Sequence, residues 1–294
     1  MSIDNADLKD IVYAVAGKTQ FRPAIIEKDY YLTVILNELN DGLSDQIVFK
    51  GGTLLNKIYL PMRRLSEDLD FSYDGKEGFE TRAKRSRAID PIRHDMRKFL
   101  ESLGLRSDNS NGEGFNNSSQ YLFVLKYPSF VTMKDETIKI EISLRQPLLD
   151  LTVNNVIRHL FQDPFSGEDL LPRKTVRSLS YDEAVAEKLR AAITRREATV
   201  RDYYDLREIH SSGFDFFKEK FVQLVLKKIA EEGYQGDFRS RFGRSESEIE
   251  QLRRQVTTDL LPVIRAGEKF DLDYVIFLFD GILGDKRFHS IFRQ

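Results

Sequence analysis

The sequence predicts an α+β fold: a small mixed sheet with helices in the first half of the chain, then a helical region from Tyr181 to the end. Two observations predict this class. Short runs rich in β-branched and aromatic residues lie in the first half, whereas apolar residues recur at helical spacing from Tyr181 onward. With 294 residues, 41% of them hydrophobic, the chain is also long enough for one large domain or two smaller ones.

Periodicity and turn residues predict the individual elements. Pro23 opens a helix well, Thr53 is predicted to cap the helix after a double glycine, and Pro61 ends that helix. In the first half we expect helices over residues 11–39, 53–60 and 79–103, the last of them strongly charged. We expect strands at 46–49, 69–73, 121–126, 137–144 and 176–179. Residues 107–119 are predicted to be a flexible loop, and a long hairpin connection is predicted between the strands at 121–126 and 137–144. In the second half we expect helices over residues 182–195, 200–210, 214–232, 246–260 and 272–283.

The composition excludes several kinds of protein. The formal net charge of -2 argues against a protein that coats nucleic acid nonspecifically, although it leaves room for a local basic groove. The absence of cysteine excludes disulfides and thiolate metal sites, and the four histidines show no metal-binding spacing. Since the sequence has no leader pattern and no apolar run of about 18 residues, we expect a soluble cytoplasmic protein without membrane contact.

Two aspartates at the beginning of a predicted strand are the first candidate for chemistry. If the strand includes both, its alternation puts Asp68 and Asp70 on one face. Neighbouring carboxylates repel each other unless a cation lies between them, and their hard oxygens suit Mg²⁺ or Mn²⁺. By itself this pair is equally compatible with an edge strand that carries two solvated aspartates.

A double glycine precedes this pair. Gly51 and Gly52 lie between a predicted strand and a predicted helix, where glycine lets the backbone approach a phosphate and the helix start offers N–H groups to anions. The alternative is an ordinary tight turn. The combination of strand, glycine turn, helix and two aspartates within about twenty residues favours a phosphate-binding site.

Further charged residues complete the candidate set. Lys139 and Glu141 share one face of an alternating strand, and Glu141 is a candidate third carboxylate for phosphoryl transfer. Lys188 and Arg195 carry charges suited to a triphosphate. Arg201 and Asp205 lie four residues apart on a predicted helix. Taken singly, each is also compatible with ordinary surface charge.

Together these residues resemble the AbiEii and MenT nucleotidyltransferase toxins of the DNA polymerase β-like superfamily. The resemblance covers roughly residues 26–209. The motifs that carry it are Lys50-Gly51-Gly52-Thr53, Arg64-x-Ser66-x-Asp68-x-Asp70-Phe71, Lys139-x-Glu141, Glu183 with Lys188-Leu189, and Arg201-Asp202-x-x-Asp205-Leu206. One departure is Glu141, where aspartate is more familiar, so its role as ligand, base or support stays open.

The resemblance implies a nucleotidyltransferase lobe over residues 1–180, a helical lobe over 181–294, and roles for individual residues. Asp68 and Asp70 would be the metal ligands. The implied catalytic residues are Asp68, Asp70, Glu141, Lys188 and Asp205. The implied nucleotide-binding residues are Lys50, Gly51, Gly52, Thr53, Ser66, Lys139, Lys188, Arg201 and Asp202.

The resemblance also implies an activity and partners. The family transfers a nucleotide from an NTP, with Mg²⁺ or Mn²⁺, to an acceptor hydroxyl such as the 3′ end of tRNA. Its members act as toxins of type IV toxin–antitoxin and phage-defence pairs, beside an antitoxin that is encoded nearby. The alternatives are kinase-like or nucleotide transfer to a protein hydroxyl, a catalytically idle nucleotide-binding regulator, and an interaction module.

Overall fold

The structure, a computed structural model, describes residues 5–39, 43, 45–75, 80–107, 109–145, 147–163 and 166–289. Contacts divide the chain into two compact units, Met1–Leu179 and Ser180–Gln294. The predicted α+β class is confirmed, because the first unit is built on a mixed sheet and the second on helices. None of the helices among these residues is long and apolar enough to cross a membrane.

The sheet of the first unit contains eight strands among the described residues. They are β1 (Ile47–Lys50), β2 (Leu69–Tyr73), β3 (Arg106–Ser107), β4 (Glu113–Phe115), β5 (Gln120–Pro128), β6 (Asp135–Ser143), β7 (Val153–Val156) and β8 (Thr175–Ser178). Their order is β3-β5-β6-β2-β1-β8-β7, with β4 beside β5. Strand β2 is therefore central, antiparallel to β1 and parallel to β6.

The two faces of this sheet differ in polarity. Phe71, Phe123, Ile140 and Ile142 point to one face and are almost completely buried, so this face forms the core. Alternate residues point to the other face, where Asp70 of β2 and Glu141 of β6 are half-buried. Strand alternation thus places these two candidate acids on the opposite face of the sheet, which is accessible around them and the exposed Lys139.

The described residues of the first unit form the α-helices α1 (Asn5–Thr19), α2 (Pro23–Leu39), α3 (Gly51–Leu54) and α4 (Arg82–Ser102). Pro23 opens α2, as predicted. The prediction that Thr53 caps α3 is wrong, because the helix begins at Gly51 with Lys50 in the capping position. A π-helical turn, Leu55–Tyr59, continues α3. The predicted start of α4 at residue 79 lies outside the described residues, and Thr81 caps the helix by accepting a hydrogen bond from Lys84 N.

Two predictions about the strands are wrong, and one strand was not predicted. The segment 107–119, predicted as a flexible loop, contains β4 and the end of β3, both of which pair with β5. The long connection predicted between β5 and β6 is only residues 129–134, because Tyr127 and Glu136 are already paired. Strand β7 was not predicted at all; it is a short, mostly exposed strand without alternation.

The second unit contains α5 (Tyr181–Thr194), α6 (Val200–Ser211), α7 (Glu219–Glu231), α8 (Glu246–Gln255) and α9 (Leu272–Leu283). These five helices confirm the helical pattern of the second half. Helix α7 begins five residues later than predicted. Its expected first turn is an aromatic cluster instead, in which the rings of Phe214, Phe216 and Phe221 pack edge to face.

Candidate active site

The glycine turn lies directly against Asp70. Lys50, the last residue of β1, pairs with Asp70 of β2, and α3 begins at the next residue. Gly51 has a φ of +79°, in the region that favours glycine. A Cβ atom added there would lie 2.9 Å from both Cβ and Cγ of Asp70 and nearer still to its Oδ2 atom. Glycine is therefore required for the turn to approach this carboxylate.

The same turn also holds Asp68, through its main chain. The Thr53 hydroxyl donates a hydrogen bond of 2.5 Å to the main-chain oxygen of Asp68. Thr53 lies inside the helix rather than at its start, and its hydroxyl is used across the turn, fifteen residues along the chain. The glycine turn thus contacts both aspartates. Ser66, in the segment of chain that leads from α3 to Asp68, is half-buried.

Asp68 lies one residue before β2 rather than within it. Its Oδ1 atom accepts a hydrogen bond of 3.3 Å from the main-chain N–H of Lys139. Burial raises the pKa of Asp68, while the N–H and the charge of Lys139 partly oppose that rise. Among the described residues, none forms a close ion pair with Asp68, and a bound cation would stabilise such a desolvated carboxylate.

Glu141 lies beside Asp70, on the neighbouring strand of the sheet. In the parallel pairing of β2 with β6, Asp70 lies opposite Glu141. Paired positions share a sheet face, so Lys50, Asp70 and Glu141 form one row across three adjacent strands. Lys139, two residues before Glu141 and exposed, lies on the same face. The first unit therefore brings together the glycine turn, both aspartates and Glu141.

The donor set of these residues fits a divalent metal of the Mg²⁺ type. Within the described residues, no three or more acidic or histidine side chains are grouped to hold a metal ion. Mg²⁺ is commonly bound by only one or two carboxylates, with phosphate and water oxygens as the other ligands. Two aspartates beside a glycine turn match that pattern.

The second unit contains the remaining predicted residues, and three of them form a buried ionic cluster. Lys188 of α5 places its Nζ atom 2.8 Å from Asp202 Oδ1 and 2.9 Å from Asp205 Oδ2, both of α6. Arg195 Nη1 lies 2.9 Å from the other oxygen of Asp202. The side chains of Lys188, Asp202 and Asp205 are each less than 10% exposed, so this is not the solvated charged helix of the alternative interpretation. Arg201, one residue before Asp202, is half-buried.

Sequence reasoning missed Gln120, which contacts Glu141. Its Nε2 atom donates a hydrogen bond of 2.7 Å to Glu141 Oε1. Gln120 follows the segment that was predicted to be a flexible loop, and only the register of β5 against β6 brings the two side chains together. A glutamine at the start of a strand carries no recognisable signal of this contact.

Comparison with known proteins gives a consistent result. The profile of a family described as "Nucleotidyl transferase AbiEii toxin, Type IV TA system" matches residues 34–277. Among solved structures, the nucleotidyltransferase toxin MenT4 from Mycobacterium tuberculosis is similar in fold, with a TM-score of 0.53 and 18% identity over 100% of this chain and 91% of that one. JHP933 from Helicobacter pylori gives a TM-score of 0.49 and 17% identity, over 93% of this chain and 96% of that one.

No curated protein matches the sequence. The family match nevertheless covers most of the chain and includes every candidate residue from Lys50 to Asp205. The predicted resemblance is confirmed, and the chain belongs to the AbiEii family of nucleotidyltransferase toxins of type IV toxin–antitoxin systems.

Proposed function

We propose that this nucleotidyltransferase transfers a nucleotide from an NTP to the 3′-terminal hydroxyl of tRNA, with Mg²⁺ or Mn²⁺ held by Asp68 and Asp70. The observation that carries the proposal is the approach of Gly51 to the Asp70 carboxylate, in a row with Glu141. Backbone amides beside carboxylates on an accessible sheet face suit a nucleotide whose phosphates share a cation with the protein.

Each residue of the first unit has a proposed task. The amides of Gly51, Gly52 and Thr53 bind phosphate oxygens, and Lys50 and Lys139 supply positive charge at the accessible face. Ser66 contributes a hydroxyl in the segment that leads to Asp68. Asp68 and Asp70 hold the metal, which when bound neutralises negative charge on the phosphates.

The transfer itself forms one bond and breaks one. The acceptor hydroxyl oxygen attacks the α-phosphorus, and the bond from that phosphorus to the bridging oxygen of the β-phosphate breaks, so pyrophosphate leaves. Glu141 accepts the proton of the attacking hydroxyl. Positioning and fixed charge supply most of the catalysis in such reactions.

Residues of the second unit are assigned from the family resemblance. Lys188 is the proposed contact of the triphosphate, and Asp202, Asp205 and Arg201 support it. The buried ion pairs of Lys188 with the two aspartates are consistent with a precisely oriented ammonium rather than a mobile surface charge.

The biological setting follows from the same proposal. A protein that modifies tRNA ends blocks translation, which suits a cytoplasmic toxin that a neighbouring antitoxin neutralises. Release of the toxin during phage infection would make the pair an antiviral defence. Coexpression with the product of the adjacent gene should restore growth of cells that express the toxin.

The test uses purified protein, total tRNA, Mg²⁺ and each NTP labelled at the α-phosphate. We expect label on tRNA with the wild-type protein, and a loss of about 10²–10³-fold or more for Asp68→Asn and Asp70→Asn. An exposed acid outside the site, Glu113→Gln, is the matched control and should label as well as wild type. Absence of label with every NTP would contradict the proposal, as would full activity of both aspartate variants.

The position of the label separates the alternatives. A parallel reaction with NTP labelled at the γ-phosphate identifies a kinase-like reaction if that label is transferred, and label on protein identifies a protein acceptor. Nucleotide binding without any transfer identifies a catalytically idle regulator. Each of these outcomes keeps the fold and replaces the proposed reaction.

A further inference from the structure

Gln120 is fixed against Glu141 by the register of the sheet. It opens β5 opposite Ser143 of β6, which places it diagonal to Glu141 on the accessible face. Diagonal neighbours on one face lie within reach of long side chains. The 2.7 Å hydrogen bond from Gln120 Nε2 to Glu141 Oε1 therefore joins two adjacent strands at the candidate site.

Two donors determine the orientation of the Gln120 amide. Arg145 Nη2 donates to Gln120 Oε1 at 2.7 Å, and Asn116 Nδ2 donates to the same oxygen. A guanidinium nitrogen is only a donor, so it cannot meet the amide nitrogen favourably. The contact with Arg145 therefore obliges Gln120 to turn its oxygen away from Glu141 and its NH₂ group toward it, and the contact with Asn116 is consistent with this orientation.

The turn before Gln120 is held in an unfavourable backbone conformation. Asn116, Asn117 and Ser118 have φ values of 50°, 56° and 62°, a run of three left-handed residues. Arg85 of α4 stabilises this turn through hydrogen bonds of 3.1 and 2.9 Å from Nε and Nη2 to the Asn117 carbonyl oxygen. Strained backbone persists where the surrounding structure holds it, and it is concentrated near functional sites.

We propose that Gln120 is a positioning residue for Glu141, oriented by Arg145 and Asn116, and that the rate of nucleotide transfer depends on its hydrogen bond to Glu141. This inference rests on the proposed function. Gln120 itself touches neither substrate nor metal in this role. It keeps one oxygen of Glu141 occupied, so that the other oxygen has a fixed direction at the reacting face.

The experiment measures kcat and KM of tRNA labelling for three variants. Gln120→Leu keeps the size of the side chain without its hydrogen bonds and should lower kcat about 10–100-fold, the usual effect of losing such an outer partner, with KM for the NTP unchanged. Gln120→Glu should lower kcat further, because a carboxylate then faces Glu141. Arg145→Met should lower kcat less than Gln120→Leu, because the Gln120 amide remains but can flip its orientation.

Asn109→Leu is the matched control. The Asn109 side chain donates to Leu122 O at 2.9 Å and accepts from Val124 N at 2.6 Å, so it fastens the same strand without touching Glu141. The control should lose stability while kcat per folded molecule stays at the wild-type value. Wild-type kcat in Gln120→Leu, or an equal loss in Asn109→Leu, would overturn the proposal.

A second measurement tests the contact between Gln120 and Glu141 without relying on enzymatic activity. The unfolding free energies of wild type, Gln120→Leu, Glu141→Leu and the double variant form a cycle. Non-additive losses support the positioning contact, and additive losses overturn it. If wild type transfers no nucleotide, the proposed function fails, and this cycle still decides whether Gln120 holds Glu141.

Discussion

Two independent constraints act on Gly51. Its φ of +79° disfavours any residue with a Cβ atom, and the position that such an atom would occupy lies against Asp70. The first constraint concerns the backbone alone, whereas the second couples the turn to a proposed metal ligand. A substitution at Gly51 therefore affects both stability and chemistry, and these effects can be separated experimentally.

We predict that Gly51→Ala destabilises the protein by about 1–3 kcal/mol and lowers tRNA labelling by about 10²-fold, since a displaced Asp70 carboxylate no longer lies in its productive position. Urea unfolding and the labelling assay measure the two effects. Gly104→Ala is the control, because Gly104 has a φ of +66° with no atom within 4 Å of the added Cβ. It should lose stability only; equal loss of labelling in both variants would contradict the coupling.

A buried ion pair joins α2 to the helix that follows the glycine turn. Lys57, in the π-helical turn, places Nζ 2.7 Å from Asp29 Oδ1 and 2.9 Å from Thr33 Oγ1. Both charged side chains are at most 2% exposed. The second oxygen, Asp29 Oδ2, has no hydrogen-bond partner within the described part of the chain. Replacing only one of these two charged residues should therefore lower the free energy of unfolding strongly.

We expect Lys57→Met to destabilise the protein by about 3–5 kcal/mol, because it leaves the Asp29 carboxylate buried without its cation. The double variant Lys57→Met/Asp29→Leu removes both charges and should recover most of that loss, since apolar replacements of buried ion pairs are often neutral or better. Urea midpoints of the two variants provide the comparison. A double variant less stable than Lys57→Met would contradict this account.

Elements in which apolar residues recur with a clear periodicity could be predicted from the sequence. Elements that depend on contacts between distant residues could not. Strands β2 and β6 alternate apolar and polar residues, β5 is a run rich in β-branched and aromatic residues, and the central residues of all three were predicted correctly. The tight connection between β5 and β6 was missed because Glu27 of α2, about a hundred residues away, fixes it. Glu27 accepts hydrogen bonds from Ser129 Oγ at 2.5 Å and from Phe130 N at 2.9 Å.

The same distinction applies to the candidate site. Asp68, Asp70 and the glycine turn lie within one short segment, so their spacing alone pointed to a phosphate site. Glu141 was a plausible third acid, but its place opposite Asp70 required the parallel register of β2 and β6. The hydrogen bonds that join Gln120 to Glu141 and to Arg145 depend on the register of β5 against β6, which no local pattern encodes.

In the molecule as a whole, candidate residues occur in both units. The first unit carries the glycine turn and the acids, and the second carries the cluster around Lys188. The family profile spans residues of both units, so neither unit alone contains the complete family pattern. At 18% identity, the similarity to MenT4 supports the fold, and the chemistry has to be argued from individual residues.

The acid stability of the protein should depend on His159. Its Nε2 lies 2.9 Å from Leu171 O, and its Nδ1 accepts from Phe161 N at 3.3 Å. Only a neutral ring protonated at Nε2 satisfies both contacts. Burial lowers the pKa of His159 below its ordinary 6.5, although the hydrogen bond to Leu171 partly opposes this.

Below pH 6.5 the unfolded chain therefore binds a proton at this position that the folded protein does not bind. The stabilising contribution of neutral His159 is complete above pH 6.5 and is lost as the pH falls toward the lowered folded pKa, by at most about 1.4 kcal/mol per pH unit. We predict that wild type loses more stability between pH 7.5 and 5.5 than His159→Gln, measured by urea midpoints. Equal losses would show that His159 does not contribute.

The left-handed turn at Asn116, Asn117 and Ser118 has a consequence for evolution. Valine, isoleucine and threonine fit poorly in that backbone region, so natural selection should restrict these three positions to small or amide-bearing residues. Homologues that retain the turn would then show an apparently invariant surface loop. Such invariance would reflect the conformational demands of the backbone, and it should not be mistaken for direct contact with RNA.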